Sequence, residues 1–429
     1  MTNKIVIIGA GFAGVWSALS ARSLIEQANK ASEFEILVVA PEPVLVMRPR
    51  LYESSASSLV HNLDALFHAA DIKFISGTVQ AIHPDAQTID VQPTSGTASS
   101  SITYNRLILA AGSSVIRPES ITGLQQHAFD IDSLASAIKL EAHLESLASH
   151  PASTSRDTVV VCGAGFTGIE LAAELPKRLQ QHHIANPRII LIDTAPELGA
   201  SLGPGPRPTI TTALDALGVE RKLGSGIAAI DPQGVTLTSG ERIQTNTAIW
   251  TAGVKATRLT QQIPGPRDAF SRLHVDPYLR VPCAQGVLAS GDAAAALADG
   301  RGNYALMSCQ HALQLGRVAG YNAAAELLGQ RLVEYSQPAY NCCLDLGPWG
   351  AVVAGGWDEK KVKVSGDLAK RIKISINREL IYPPAGGEEA LALASPVQPD
   401  SDRLFEQLIG VMGVGLHLAA LEVINELSY

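Results

Sequence analysis

Two glycine triplets with one spacing, Gly9, Gly11, Gly14 and Gly163, Gly165, Gly168, are the residues of this 429-residue chain best suited to holding a ligand. Each completes a GxGxxG pattern. In that pattern the first glycine turns the chain, the second lets a pyrophosphate approach the backbone, and the third lets a helix pack on a strand. Both follow β-branched runs and precede Ala/Leu-rich stretches, in KIVIIGAGFAGVWSAL from Lys4 and TVVVCGAGFTGIELAAEL from Thr158. The duplication implies two bound dinucleotides. Asp193 ends the strand after the second turn, where a carboxylate bonds a ribose 2′-hydroxyl and repels a 2′-phosphate. Asp292 closes the segment VLASGD ahead of an Ala-rich stretch read as a helix, and there it can accept hydrogen bonds from a polyol. The segment LAAGS, with Gly112, is a further strand end of this kind.

The elements that must position these residues alternate. Strands are expected at residues 5–8, 34–40, 106–110, 188–193 and 247–251, with helical stretches between them. This is the signature of an α/β fold with doubly wound parallel sheets: two Rossmann-like dinucleotide-binding domains and a small C-terminal module. The first domain is expected to be discontinuous, over residues 1–115 and 280–334, with the second over 116–279 and the module over 335–429. Loops are expected at residues 93–101, 149–156, 202–208 and 395–401, the second being the best linker candidate. In the module, two apolar runs flank Gly347-Pro348-Trp349 as in a hairpin. Residues 360–378 carry seven basic and one acidic side chain, whereas residues 386–429 carry seven acidic and one basic, so the two stretches can attract each other. Leu368, Ile372, Ile376 and Leu380 have helical spacing, while Ile372, Ile374 and Ile376 fit a strand equally well. Packing on the sheet domains with a solvated face is favoured over membrane contact. Three glycines, Gly410, Gly413 and Gly415, divide or bend a helix expected at 404–427.

Composition narrows the function. With 46% hydrophobic residues and 17% charged ones the chain is globular, and a net charge of −8 with a pI near 5.8 leaves no footprint for nucleic acid. No uncharged apolar run reaches the roughly 20 residues of a spanning helix. The first strand begins within a few residues of Met1, and five cysteines without a CxxC pair fit a cytoplasmic protein. No Cys/His cluster has metal-ligand spacing, so no metal is expected.

Taken together, these motifs resemble the two-dinucleotide-binding flavoproteins, in which the first GxGxxG, the strand end at Gly112 and the motif at Asp292 line FAD, and the second GxGxxG holds NAD(P)H. A redox cysteine after the second strand, as in the disulfide reductases, is missing from VLVMRPRLYE at residues 44–53. The remainder is similar to the type II NADH:quinone oxidoreductases over roughly residues 1–385. The supporting residues are GIELAAEL from Gly168, IWTAGV around Gly253, and Cys309-Gln310-His311-Ala312-Leu313-Gln314 beside that family's AQxAxQ quinone pattern. The resemblance implies an FAD enzyme that takes hydride from NADH, NADPH being disfavoured by Asp193, and passes two electrons to a small quinone-like acceptor. Gln310 and Gln314, one helical turn apart, would bond the acceptor carbonyl. Glu170 would steer the nicotinamide or handle a proton, and Arg50 and Tyr52 would lie by the flavin. Ala40 stands where an acidic residue should meet the adenosine ribose, so Glu42 is the candidate replacement. Two alternatives stay open: a ferredoxin-type reductase docking an acidic partner on residues 360–378, and a tailoring enzyme for a small biosynthetic metabolite. A homodimer and peripheral contact with the cytoplasmic face of a membrane also stay open.

Overall fold

The computed structural model describes residues 2–96, 98–358, 360–397 and 401–413. The first half contains β1 (Asn3–Ile8), α1 (Phe12–Gln27), β2 (Phe34–Ala40), β3 (Lys73–His83), β4 (Thr88–Pro93), β5 (Ser100–Thr103), β6 (Arg106–Leu109) and the short β7 (Ser113–Val115). Next come β8 (Thr158–Cys162), α2 (Phe166–Gln181), β9 (Arg188–Ile192), β10 (Val219–Lys222), β11 (Thr247–Trp250) and β12 (Val254–Ala256). The chain then runs through β13 (Val287–Ala289), α3 (Cys309–Leu328), β14 (Asn341–Asp345), β15 (Ala351–Gly355), β16 (Lys361–Gly366), α4 (Asp367–Ser375) and α5 (Ser401–Gly413).

Strands buried on both faces make parallel sheets. Ile5, Val6 and Ile7 are wholly shielded from solvent, as are Val159, Val160 and Val161 in the duplicate. The larger sheet has the order β13-β6-β1-β2-β3-β4-β5, parallel from β13 to β3, with β4 and β5 added antiparallel. The smaller is β10-β9-β8-β11, parallel throughout. In both, the strand that feeds a glycine turn lies inside the sheet, so each turn opens at the carboxyl ends of the strands, where α/β sheets bind ligands. The chain crosses between the two sheets along β7 and β12, which pair antiparallel with Val115 opposite Val254. Residues 149–156, by contrast, lead straight into β8 and include a helical turn at Thr154–Asp157.

Two local expectations change, and one open choice is decided. The Ala-rich stretch after Asp292 is a 3-10 turn and then extended chain, with Ala294 and Ala295 bridging to Leu273 and His274. Ala293, Ala294, Ala295 and Ala296 are at most 2% exposed, and this burial of small side chains overrides their helix propensity. Residues 367–375 are helix rather than strand, because Leu368, Ile372 and Ile376 share one face against Phe405, Leu408 and Met412 while Ile374 is exposed. Residues 93–101 are a loop only in part, since β5 begins at Ser100. In the module, β14 and β15 form the hairpin around Gly347–Trp349. The basic and acidic stretches meet where Lys363 pairs with Asp402 at 2.8 Å. Helix α5 covers the first part of the helical stretch expected at 404–427; the remainder lies outside the described residues, among which no helix is long and apolar enough to cross a membrane.

Candidate functional site

The glycines divide their work as the pattern requires. A Cβ on Gly9 (φ +110°) would stand 2.5 Å from the Ala110 carbonyl oxygen, and one on Gly14 would stand 1.9 Å from that of Gly9. A Cβ on Gly11 would meet no atom within 4 Å. Gly11 is also the N-cap of α1, with no side-chain cap bond and no acidic residue in the first turn, so the positive end of the helix faces open space. The second copy repeats this: Gly163 and Gly168 are hemmed in at 2.9 Å and 1.8 Å, and Gly165 is open. Two glycines in each turn are thus demanded by the fold, whereas the third is demanded only by something that approaches the backbone from outside.

The space outside Gly11 belongs to one continuous cavity of about 2150 Å³. It runs past Gly11, Gly112 and Asp292 to Gly253 and to Phe166 and Thr167 of the second turn. Asp292 is fixed by Ser113, whose hydroxyl donates to its carboxylate at 2.6 Å, and by Arg48 at 3.4 Å. Arg48 also reaches Ser113 at 2.9 Å and pairs with Asp132, which brings three segments of chain together on the cavity wall. Glu42 and Ala40 line the same wall, Glu42 from an exposed position.

Arg50 is elsewhere. Its guanidinium holds Glu53 at 2.8 Å and the Tyr382 hydroxyl at 2.9 Å, off the cavity wall, so Arg48 takes the place foreseen for Arg50. Both arginines of Arg48-Pro49-Arg50 fit the sequence pattern, and only long-range partners separate them. Asp193 also differs from expectation. Its carboxylate accepts from the amides of Ala164 (2.6 Å) and Ala195 (2.8 Å), tying the second glycine turn to the end of β9, and it does not line the cavity.

Glu170 lies one turn into α2, 3% exposed and on the cavity wall. It accepts from the Asp345 amide at 3.0 Å and pairs with Lys373 at 2.9 Å. Burial raises its carboxyl to about 7, against the opposing pull of Lys373 and of the Asp345 amide. Burial thus favours the protonated form of Glu170, and Lys373 the ionised one. Lys373 lies 5.6 Å from the centre of the Phe166 ring and 6.0 Å from that of Tyr52, and Tyr52 donates to Asp345 at 3.0 Å. Neither Lys373 nor Asp345 was legible as a site residue; the only signal was the clustering of basic residues on an amphipathic helix.

Gln310 and Gln314 begin α3, which Ser308 caps, and both line the cavity. They are not equivalent. An N–H of Gln314 donates to the Pro396 carbonyl at 2.7 Å, and its buried side-chain oxygen has no partner among the described residues. Gln310 is the amide of the two without such a bond. Cys162 is buried in β8, and Cys309, Cys342 and Cys343 stand on the cavity wall as free thiols. Burial pushes the Cys162 and Cys343 thiols up to about 12, far from a reactive thiolate.

Comparison with known proteins agrees with this geometry. Residues 3–316 match the sequence model of the pyridine nucleotide-disulphide oxidoreductases. The chain belongs to that family. It is 43% identical over 405 residues to an NADH dehydrogenase-like protein of Mycobacterium tuberculosis, covering 92% of this chain and 99% of the relative. It is 25% identical over 356 residues to a type II NADH:quinone oxidoreductase of Staphylococcus aureus, covering 78% and 85%. In fold it is similar to NDH2 of Plasmodium falciparum solved in complex with NADH, with a TM-score of 0.75 at 13% identity over 92% of this chain and 97% of that one. This family member is a flavin-dependent NAD(P)H oxidoreductase, and its two open glycines fit a flavin and a nicotinamide nucleotide.

Proposed function

We propose that the protein is an FAD-dependent NADH:quinone reductase. The observation that carries this reading is the single cavity that runs from the first glycine turn to Phe166 and Thr167 of the second and extends to Gln310 and Glu170. Gly11 with the start of α1, Gly112, and Asp292 held by Ser113 and Arg48 would hold FAD; Gly165 with the start of α2, and Gly253, would hold NADH. Bound flavin supplies two-electron chemistry, accepting a hydride and releasing the electrons to an acceptor. The chain's own residues supply positioning, exclusion of water and protons. Gln310 donates an amide N–H to the acceptor carbonyl, an orientation that an uncharged quinone needs because no charge steers it. Reduction of a quinone to a quinol takes up protons, and Glu170, with its carboxyl near 7, can hold one at the wall of the cavity. The nucleotide in this reading is NADH: the negative charge of Asp193, held beside the second turn by the Ala164 and Ala195 amides, disfavours a 2′-phosphate there.

The ferredoxin-type alternative is less favoured, because three basic residues of the stretch are paired within the chain: Lys363 with Asp402, Lys370 with Asp345 and Lys373 with Glu170. In the favoured reading the protein works in the cytoplasm, meeting its quinone at the membrane face. The test is stopped-flow flavin absorbance with the two half-reactions followed separately. Gln310→Ala should slow reoxidation by quinone by about 5- to 30-fold, the equivalent of one neutral hydrogen bond, while reduction by NADH stays unchanged. Wild-type protein that reduces no quinone, or that uses NADPH as well as NADH, would overturn the assignment.

A further inference from the structure

Beyond residue 316 the chain leaves the matched family region, yet it returns to the second nucleotide turn. The loop after β15 ends at Lys360, whose backbone is left-handed (φ +48°), a conformation that side chains other than glycine rarely adopt. Lys360 is only 6% exposed. Its ammonium donates to the carbonyl of Ser201, in the short turn Ala200–Leu202 that follows β9, and lies 5.6 Å from the centre of the Tyr340 ring. No carboxylate among the described residues is within ion-pair distance of it. Burial lowers its pKa from the ordinary lysine value against the weaker opposing pull of Cys342 and Asp358, so its charge gains from a further anion beside it.

The place where it is held matters. Lys360 and Ser201 share the cavity wall with Phe166, the first residue of α2. Phe166 packs against the cluster of Tyr340, Cys342 and Trp357 from the C-terminal module. The start of α2 has no acidic residue in its first turn and no side-chain cap, and its Phe166 and Thr167 share the cavity wall with Lys360. A ligand that brings an anion to this wall would answer both. At the glycine turn of a dinucleotide half that anion is a pyrophosphate.

We propose that Lys360 is a clamp on the pyrophosphate of the nicotinamide dinucleotide, so that the C-terminal module completes the second nucleotide site. The Ser201 carbonyl parks the ammonium beside the glycine turn. This inference rests on the reading of the second turn as the nicotinamide-nucleotide site.

The test measures binding of ADP-ribose, which carries the pyrophosphate, and of AMP, which does not, to flavin-loaded protein by calorimetry. Lys360→Met should weaken ADP-ribose about tenfold, the scale of one charge-assisted hydrogen bond, and leave AMP unchanged. Lys360→Arg should keep most of the affinity. In turnover, the Met variant should raise KM for NADH with kcat retained. Lys360→Gly removes the ammonium and relieves the left-handed backbone, so it should show the same loss in a chain at least as well folded, should the Met variant fold poorly. Unchanged ADP-ribose affinity, equal loss for AMP, or an effect confined to the acceptor would overturn the clamp alone. Wild-type protein that binds no ADP-ribose would overturn the nucleotide reading and the clamp together.

Discussion

Gly11→Ala and Gly14→Ala place one methyl group three residues apart and should fail in opposite ways. At Gly11 the backbone is ordinary (φ −76°) and a Cβ meets nothing within 4 Å. Restricting the unfolded chain favours alanine by about 0.4–1 kcal/mol, and alanine is a poorer N-cap than glycine by a similar amount. The deflavinated Gly11→Ala protein should therefore keep its stability to within about 1 kcal/mol. Its methyl group, however, fills the space through which a pyrophosphate reaches the amides at the start of α1. Each amide-to-phosphate bond lost costs about 1.5–3 kcal/mol, so FAD affinity should fall at least about tenfold. At Gly14 a Cβ would stand 1.9 Å from the Gly9 oxygen, inside any contact distance, so turn and helix must separate. Overpacking of this kind costs about 1–3 kcal/mol or more before any cofactor binds. Urea unfolding of the deflavinated proteins, followed by fluorimetric FAD titration of those that fold, separates the two effects. Gly11→Ala protein that binds FAD within twofold of wild type, or that loses as much stability as Gly14→Ala, would refute the division of labour among the glycines.

Arg48→Ala should lower FAD affinity about tenfold by releasing Asp292, whereas Arg50→Ala should leave it within twofold and cost about 1–2 kcal/mol of stability through Glu53 and Tyr382; equal loss of flavin in both, measured by FAD titration, would reverse the assignment. For Glu170 the sign follows from burial. A carboxyl raised from 4.5 to about 7 takes up its proton more readily in the folded chain, so this group's contribution to stability falls as pH rises between those values, by roughly 3 kcal/mol, and Glu170→Gln should remove that slope in urea unfolding. Quinone reoxidation should likewise slow as pH rises through about 7 in the wild type and lose that step in Glu170→Gln; identical profiles would remove Glu170 from proton handling.

Much of the fold was legible because its signals are local. A β-branched run, a glycine turn and an Ala/Leu helix need only neighbours in sequence, and the same grammar occurs twice, at Gly9 and at Gly163. Asp292 and Gly112 could be found because they end strands of the same sheet. Glu170 could be located by its place in the second helix, but its chemistry could not: burial raises its carboxyl while Lys373 and the Asp345 amide pull it down, and tertiary packing brings both partners from the distant C-terminal module. The two arginines of Arg48-Pro49-Arg50 have equivalent local sequence; Asp292 and Asp132 claim one, Glu53 and Tyr382 the other. Gln310 and Gln314 have the spacing of a matched pair, yet the arrival of Pro396 sets them apart. By itself, then, the sequence determined which turns could receive a dinucleotide, since backbone geometry is encoded within a few residues. Only the tertiary structure decided which charges face the cavity and which are spent inside the protein, because burial and ion pairing depend on segments that spacing along the chain does not bring together.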